Sequence, residues 1–77
     1  MPTFLRLDGF VFFIYANEHE PKHIHVMKGD DFAKIELKSL RVVKNTFKKN
    51  ELSKAFKIAK KNDNHFERKW DEYFDQR

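Results

Sequence analysis

Residues Asn17-Glu18-His19-Glu20-Pro21-Lys22-His23-Ile24-His25-Val26 gather three of the chain's four histidines, two glutamates and a proline into ten positions. His23 and His25 are two apart, and the alternation of an extended strand puts such a pair on one face, roughly 6.6 Å apart. Two kinds of chemistry suit that separation. One is metal ligation, with His19 as third ligand and Glu36 as a ligand or as the partner of a ligating imidazole; zinc is the natural ion for such a set. The spacing 19, 23, 25 matches no standard zinc pattern. The other is acid/base work on a phosphodiester with no cofactor. A neutral imidazole takes a hydroxyl proton, a charged one donates to the leaving oxygen, and Lys34 stabilises the developing charge while Glu36 holds a tautomer. A third reading asks for no chemistry: an ordinary half-polar sheet face, with Glu18 and Glu20 on a loop whose entry into the strand Pro21 fixes. The fourth histidine, His65, reads as a surface or packing residue.

The surrounding elements decide where these side chains point. Thr3 to Leu7 and Phe10 to Tyr15 are β-prone runs separated by Asp8-Gly9, the strongest short hairpin signal. The second run is apolar on both faces, as in a central strand. A further hairpin follows, with His23 to Lys28 and Asp31 to Leu37 around Gly29-Asp30. A two-residue loop sets Val26 across from Ala33 and Ile24 across from Ile35, keeping the apolar face intact. That register places His25 opposite Lys34 and His23 opposite Glu36; a one-residue slip would break the pattern. Arg41 to Lys44 is a candidate fifth strand. Asn50 suits the N-cap of a helix over Glu51 to Lys61, and Asn64 with Glu67 suits a capping-box start to a last helix bearing Phe66, Trp70, Tyr73 and Phe74. Asn62-Asp63-Asn64 should separate the two. The expected fold class is thus α+β, a small antiparallel sheet of two hairpins, four or five strands in all, packed by two C-terminal helices. Residues 1–77 form one domain: hairpins over 1–37, a connection over 38–49 and helices over 50–75.

At 77 residues the core is small, and nine Phe, two Tyr and one Trp are what must fill it. The absence of cysteine excludes disulfides, thiolate catalysis and cysteine-based zinc sites. The longest apolar run, Phe10 to Ala16, is too short for a membrane span or a signal-peptide core, so the chain reads as cytoplasmic with no membrane partner. Charge is uneven. Residues 1–37 sum to −2 and residues 62–77 to −2, whereas residues 38–61 hold nine Lys/Arg against Glu51 alone. A segment of that kind fits RNA or another polyanion, with Lys44, Lys48, Lys49, Lys54, Lys57, Lys60 and Lys61 as phosphate contacts. A solvated lysine-rich surface is the plainer reading.

The order of residues, from the opening strand and Asp-Gly turn through the Asn17-to-Val26 stretch to a closing helix with Trp70, resembles the bacterial family catalogued as domain of unknown function 4160. Many members have two prolines before the paired histidines, where this chain has Pro21-Lys22. The resemblance covers essentially the whole chain. It implies association with a small cognate partner protein in a toxin–antitoxin-like module and a link to RNA, with Asn17, Glu18, His19 and Pro21 as interface or loop residues; a homodimer is equally compatible. The functions this leaves open are a ribonuclease using His23 and His25, a protein- or DNA-binding module without catalysis, and a His-x-His metal-binding domain.

Overall fold

The computed structural model describes residues 2–75. Five strands, β1 (Thr3–Leu7), β2 (Phe10–Phe13), β3 (His23–Lys28), β4 (Asp31–Glu36) and β5 (Val42–Asn45), form one antiparallel sheet in sequence order. Helices α1 (Lys49–Lys61) and α2 (Asp63–Asp75) complete the α+β fold. Asp8 and Gly9 both take positive φ, 54° and 84°, as a two-residue turn from β1 to β2 requires. Gly29 at φ 61° makes the corresponding turn from β3 to β4. The pairing of β3 with β4 is the expected one: Val26 with Ala33, Ile24 with Ile35, His25 with Lys34 and His23 with Glu36.

One sheet face carries the core. Phe10, Phe12, Ile14, Ile24, Val26, Ala33, Ile35 and Leu37 are buried together with Phe47, Ala55 and Ala59, and with Phe66 and Trp70 of α2. Phe12 stacks on Phe66 at 5.4 Å between ring centroids, and Phe4 meets the same ring at 6.3 Å. Burial of this kind, at about 25 cal/mol per Å² of apolar surface, is the main force available to so small a chain. Both edge strands are irregular: the pairing of β1 with β2 shifts between Thr3 and Leu5, and that of β4 with β5 between Lys34 and Ile35.

Several boundaries differ from those expected. The regular part of β2 ends at Phe13; Ile14 stays buried, but Tyr15 is exposed and begins a loop. The fifth strand, Val42–Asn45, lies one residue later than the expected Arg41 to Lys44. Asn50 is not the N-cap of α1. Leu52 N–H already donates to Lys48 O at 2.9 Å, so the helix starts at Lys49, and Lys48 supplies no side-chain cap. The turn before it is organised by Asn45 instead, whose Oδ1 accepts from Phe47 N–H at 2.8 Å. Asn62 alone separates the helices. Its side chain and its N–H both donate to Ile58 O, while its carbonyl accepts from Phe66 N–H. α2 therefore starts at Asp63, ahead of the Asn64–Glu67 box, and burial together with the nearby Asp63 carboxylate, to which a protonated Glu67 donates, raises the Glu67 carboxyl above its ordinary value. Asp63 also accepts from Lys38 N–H at 3.0 Å, tying the turn between β4 and β5 to the helix pair.

Phe66 joins sheet to helices through two ring contacts and is fully buried. Replacing Phe66 with Ala should lower unfolding free energy by about 3–5 kcal/mol, read as a shift of the urea midpoint.

Candidate functional site

β3 lies between β2 and β4, and its alternation is strict at the centre: Ile24 and Val26 are fully buried beneath the helices, which turns His23 and His25 to the other face. That face is not open at His23. The loop of residues 14–22 folds across it, starting from buried Ile14 and ending where Lys22 O accepts from Leu37 N–H at 2.9 Å. The Glu20–Pro21 bond in this loop is cis. His23 is only 3% exposed, so the expectation of two outward-facing imidazoles holds in direction and fails in accessibility.

The carboxylate that meets both imidazoles is Glu18. Its Oε1 is hydrogen-bonded to His25 Nε2 and accepts from Tyr15 N–H at 3.2 Å. Its Oε2 lies 2.8 Å from His23 Nε2, outside hydrogen-bond alignment with the ring N–H direction. On its other side the His23 ring donates from Nδ1 to Pro21 O at 2.9 Å, since a carbonyl only accepts. Glu36, opposite His23 in register, is committed elsewhere: Arg41 Nη2 donates to its Oε2 at 3.2 Å and Ser39 Oγ to its Oε1 at 3.2 Å. The carboxylate beside the imidazoles is thus Glu18 and not Glu36. Periodicity finds a residue across a ladder, and Glu18 is on a loop; its distance of five and seven positions from the two histidines was the available signal.

Ring contacts bind the cluster to its surroundings. His25 stacks on Phe13 at 5.4 Å and meets Tyr15 edge-on at 4.8 Å. The two imidazoles are 5.1 Å apart, and His23 meets Trp70 of α2 at 5.0 Å. Burial would raise the Glu18 carboxyl, but the neighbouring His23 and His25 imidazoles and the Tyr15 N–H outweigh it and hold it below its ordinary value of 4.5. His25 moves downward from 6.5 because burial disfavours its charged form more than Glu18 favours it. The Arg41 guanidinium holds Glu36 below the usual carboxylate range.

A cleft of about 330 Å³ borders the cluster, lined by Asn17, Glu18, His19, Glu20, Pro21, His23, Lys34, Glu36 and Val43. Of the residues singled out from sequence it brings together Asn17, Glu18, His19, Pro21, His23, Lys34 and Glu36, while His25 does not line it. The grouped ligand atoms are those of Glu18, His23 and His25, all within 4.8 Å of one another; exposed His19 lines the cleft but is not in that group. His65 packs on Phe66, ring centroids 5.9 Å apart. The lysines form a separate feature. Lys49, Lys54, Lys57, Lys60 and Lys61 are exposed along α1, Lys48 precedes it, and Lys44 shares the sheet face of its ladder partner Lys34.

Both shifts in the cluster make acid unfavourable. His25 binds its proton less readily when folded, so stability declines as pH falls below 6.5; Glu18 adds its own loss below 4.5, where the unfolded carboxyl takes up its proton first. In Glu18→Gln the one interaction raising His25 through charge is gone. The His25 titration midpoint, followed by its ring proton resonances, should fall below that of the wild type.

Comparison with known proteins agrees with the residue pattern. No curated protein and no solved structure matches the chain, and among the described residues no helix is long and apolar enough to cross a membrane. The family model described as Domain of unknown function (DUF4160) matches residues 9–71, which takes in β2 to β5, the Glu18–His23–His25 cluster, α1 and most of α2. The chain belongs to the DUF4160 family.

Proposed function

We propose that this protein binds polyanions, RNA foremost, through the solvent face of α1. The observation that carries the reading is the composition of that face. Of the seven exposed residues of α1, five are Lys49, Lys54, Lys57, Lys60 and Lys61; the others are Asn50 and Ser53. Among the described residues the one ion pair made by these lysines is Lys54 with Glu51 at 3.9 Å, long for such a contact. Lys49, Lys57, Lys60 and Lys61 have no carboxylate partner among the described residues. Lysines at this density on successive turns repel one another by a few tenths of a kcal/mol per pair, a cost that an anionic strand relieves. The helix is about 20 Å long, enough to follow several phosphates.

Binding is favoured over strand cleavage at the histidines. A hydroxyl to be deprotonated must reach an imidazole nitrogen, and both Nε2 atoms are turned toward Glu18, with His23 nearly inaccessible. Base stacking has a separate candidate surface on the far sheet face, where Tyr15 and Phe32 are exposed and border one shallow groove with His25 and Met27.

Fluorescence anisotropy with a labelled single-stranded RNA tests the proposal. About five phosphate contacts predict a slope near −3.5 for log affinity against log salt. The double variant Lys57→Glu/Lys61→Glu should bind at least tenfold more weakly and with a shallower slope. RNA affinity that is absent in the wild type at about 50 mM salt, or unchanged in the double variant, refutes the reading.

A further inference from the structure

We propose that Glu18, His23 and His25 form a binding site for a single divalent transition-metal ion of the zinc class. Their three ligand atoms lie within 4.8 Å of one another, and among the described residues no other set of His, Cys, Asp or Glu side chains converges in this way. Ligand atoms around a tetrahedral zinc ion are about 3.3 Å apart, given bonds of 2.0–2.1 Å. His23 Nε2 and Glu18 Oε2, now at 2.8 Å, need to separate by only about half an ångström to reach that spacing.

His23 supplies an independent reason. Its Nδ1 must carry hydrogen, because the atom it meets is the Pro21 carbonyl oxygen at 2.9 Å. In the neutral ring Nε2 is then a bare lone pair. That atom is buried, has no hydrogen-bond partner among the described residues, and faces a carboxylate oxygen at 2.8 Å. Two electron-rich atoms at this separation call for a cation between them, and a proton on Nε2 would not point at the oxygen. A metal ion satisfies the nitrogen and the carboxylate at once.

The surroundings are those of a ligand set held in place. Pro21 O fixes the tautomer of His23, and Tyr15 N–H fixes one oxygen of Glu18. Phe13 and Trp70 wall the imidazoles and exclude water on those sides. Two imidazoles and a carboxylate select zinc-like ions over magnesium or calcium, which prefer oxygen throughout. Three protein ligands leave a fourth position free for water or an incoming group, on the side of the cleft that Glu18 and His23 line.

The experiment uses the full-length chain purified without a histidine tag and stripped with a chelator. Calorimetric titration with Zn²⁺ should show one ion per chain, with Mg²⁺ giving no saturable binding. Ring ¹⁵N resonances of His23 and His25 should shift on addition of Zn²⁺ while those of His19 and His65 stay in place, a wild-type readout that survives any folding defect in a variant. Glu18→Gln and His25→Gln should each weaken Zn²⁺ binding at least about 100-fold, beyond the 10–100-fold typical of losing an outer partner; circular dichroism confirms that they fold. His19→Ala should leave affinity within a factor of three. A folded wild type that takes up no Zn²⁺, binding unaffected by both glutamine variants, or nitrogen shifts confined to His19 or His65 would each overturn the proposal.

Discussion

Everything distinctive in this molecule depends on the burial of Ile24 and Val26. Both are fully buried in the centre of the sheet, and together they are worth several kcal/mol to a domain whose whole stability is of order 5–10 kcal/mol. Because strand side chains alternate, fixing those two on the helix side fixes His23 and His25 on the other. Sliding β3 by one residue would drive imidazoles into contact with Phe12 and Phe66 and put isoleucine and valine under the loop. The hydrophobic core thus sets the geometry of the polar cluster.

The cluster itself is a buried polar network, and such networks are favourable only when every member is satisfied. Glu18 meets that condition on one oxygen, through His25 and the Tyr15 N–H, at the cost of desolvating a carboxylate. His23 meets it on one nitrogen alone. That asymmetry is the observation on which the proposed metal site rests. The ring contacts from Phe13 through His25 and His23 to Trp70 add that any shift of the pair is felt in α2.

The sheet was legible in the sequence because its signals are local and periodic. Asp8-Gly9 and Gly29-Asp30 mark turns, and the Ile24, Val26, Ala33, Ile35 pattern admits one register. The identity of the carboxylate at the histidines was not legible. Glu36 lies opposite His23 on the ladder, as read, but its charge is drawn to Arg41, five residues on, across a turn in which Lys38 and Leu40 take positive φ. Glu18 reaches the pair by the course of a loop that has no period to read. Helix starts failed for a related reason. Asn50 and Asn64 have suitable side chains, but the chain already turns at Asn45 and at Asn62, so each helix begins before its apparent cap.

The irregular pairing at both margins of the sheet has a consequence for how this protein meets others. A sheet of order β1 to β5 ends in two edge strands, and a long flat edge is a template on which a further strand can dock, whether from a partner or from another copy. Here each edge strand has at most five residues and a break in its register, and β5 carries Lys44 as well. Such margins offer a poor main-chain ladder to extend. Recognition by this fold is therefore a matter of side chains, and specificity has to be written on its faces and not along its borders.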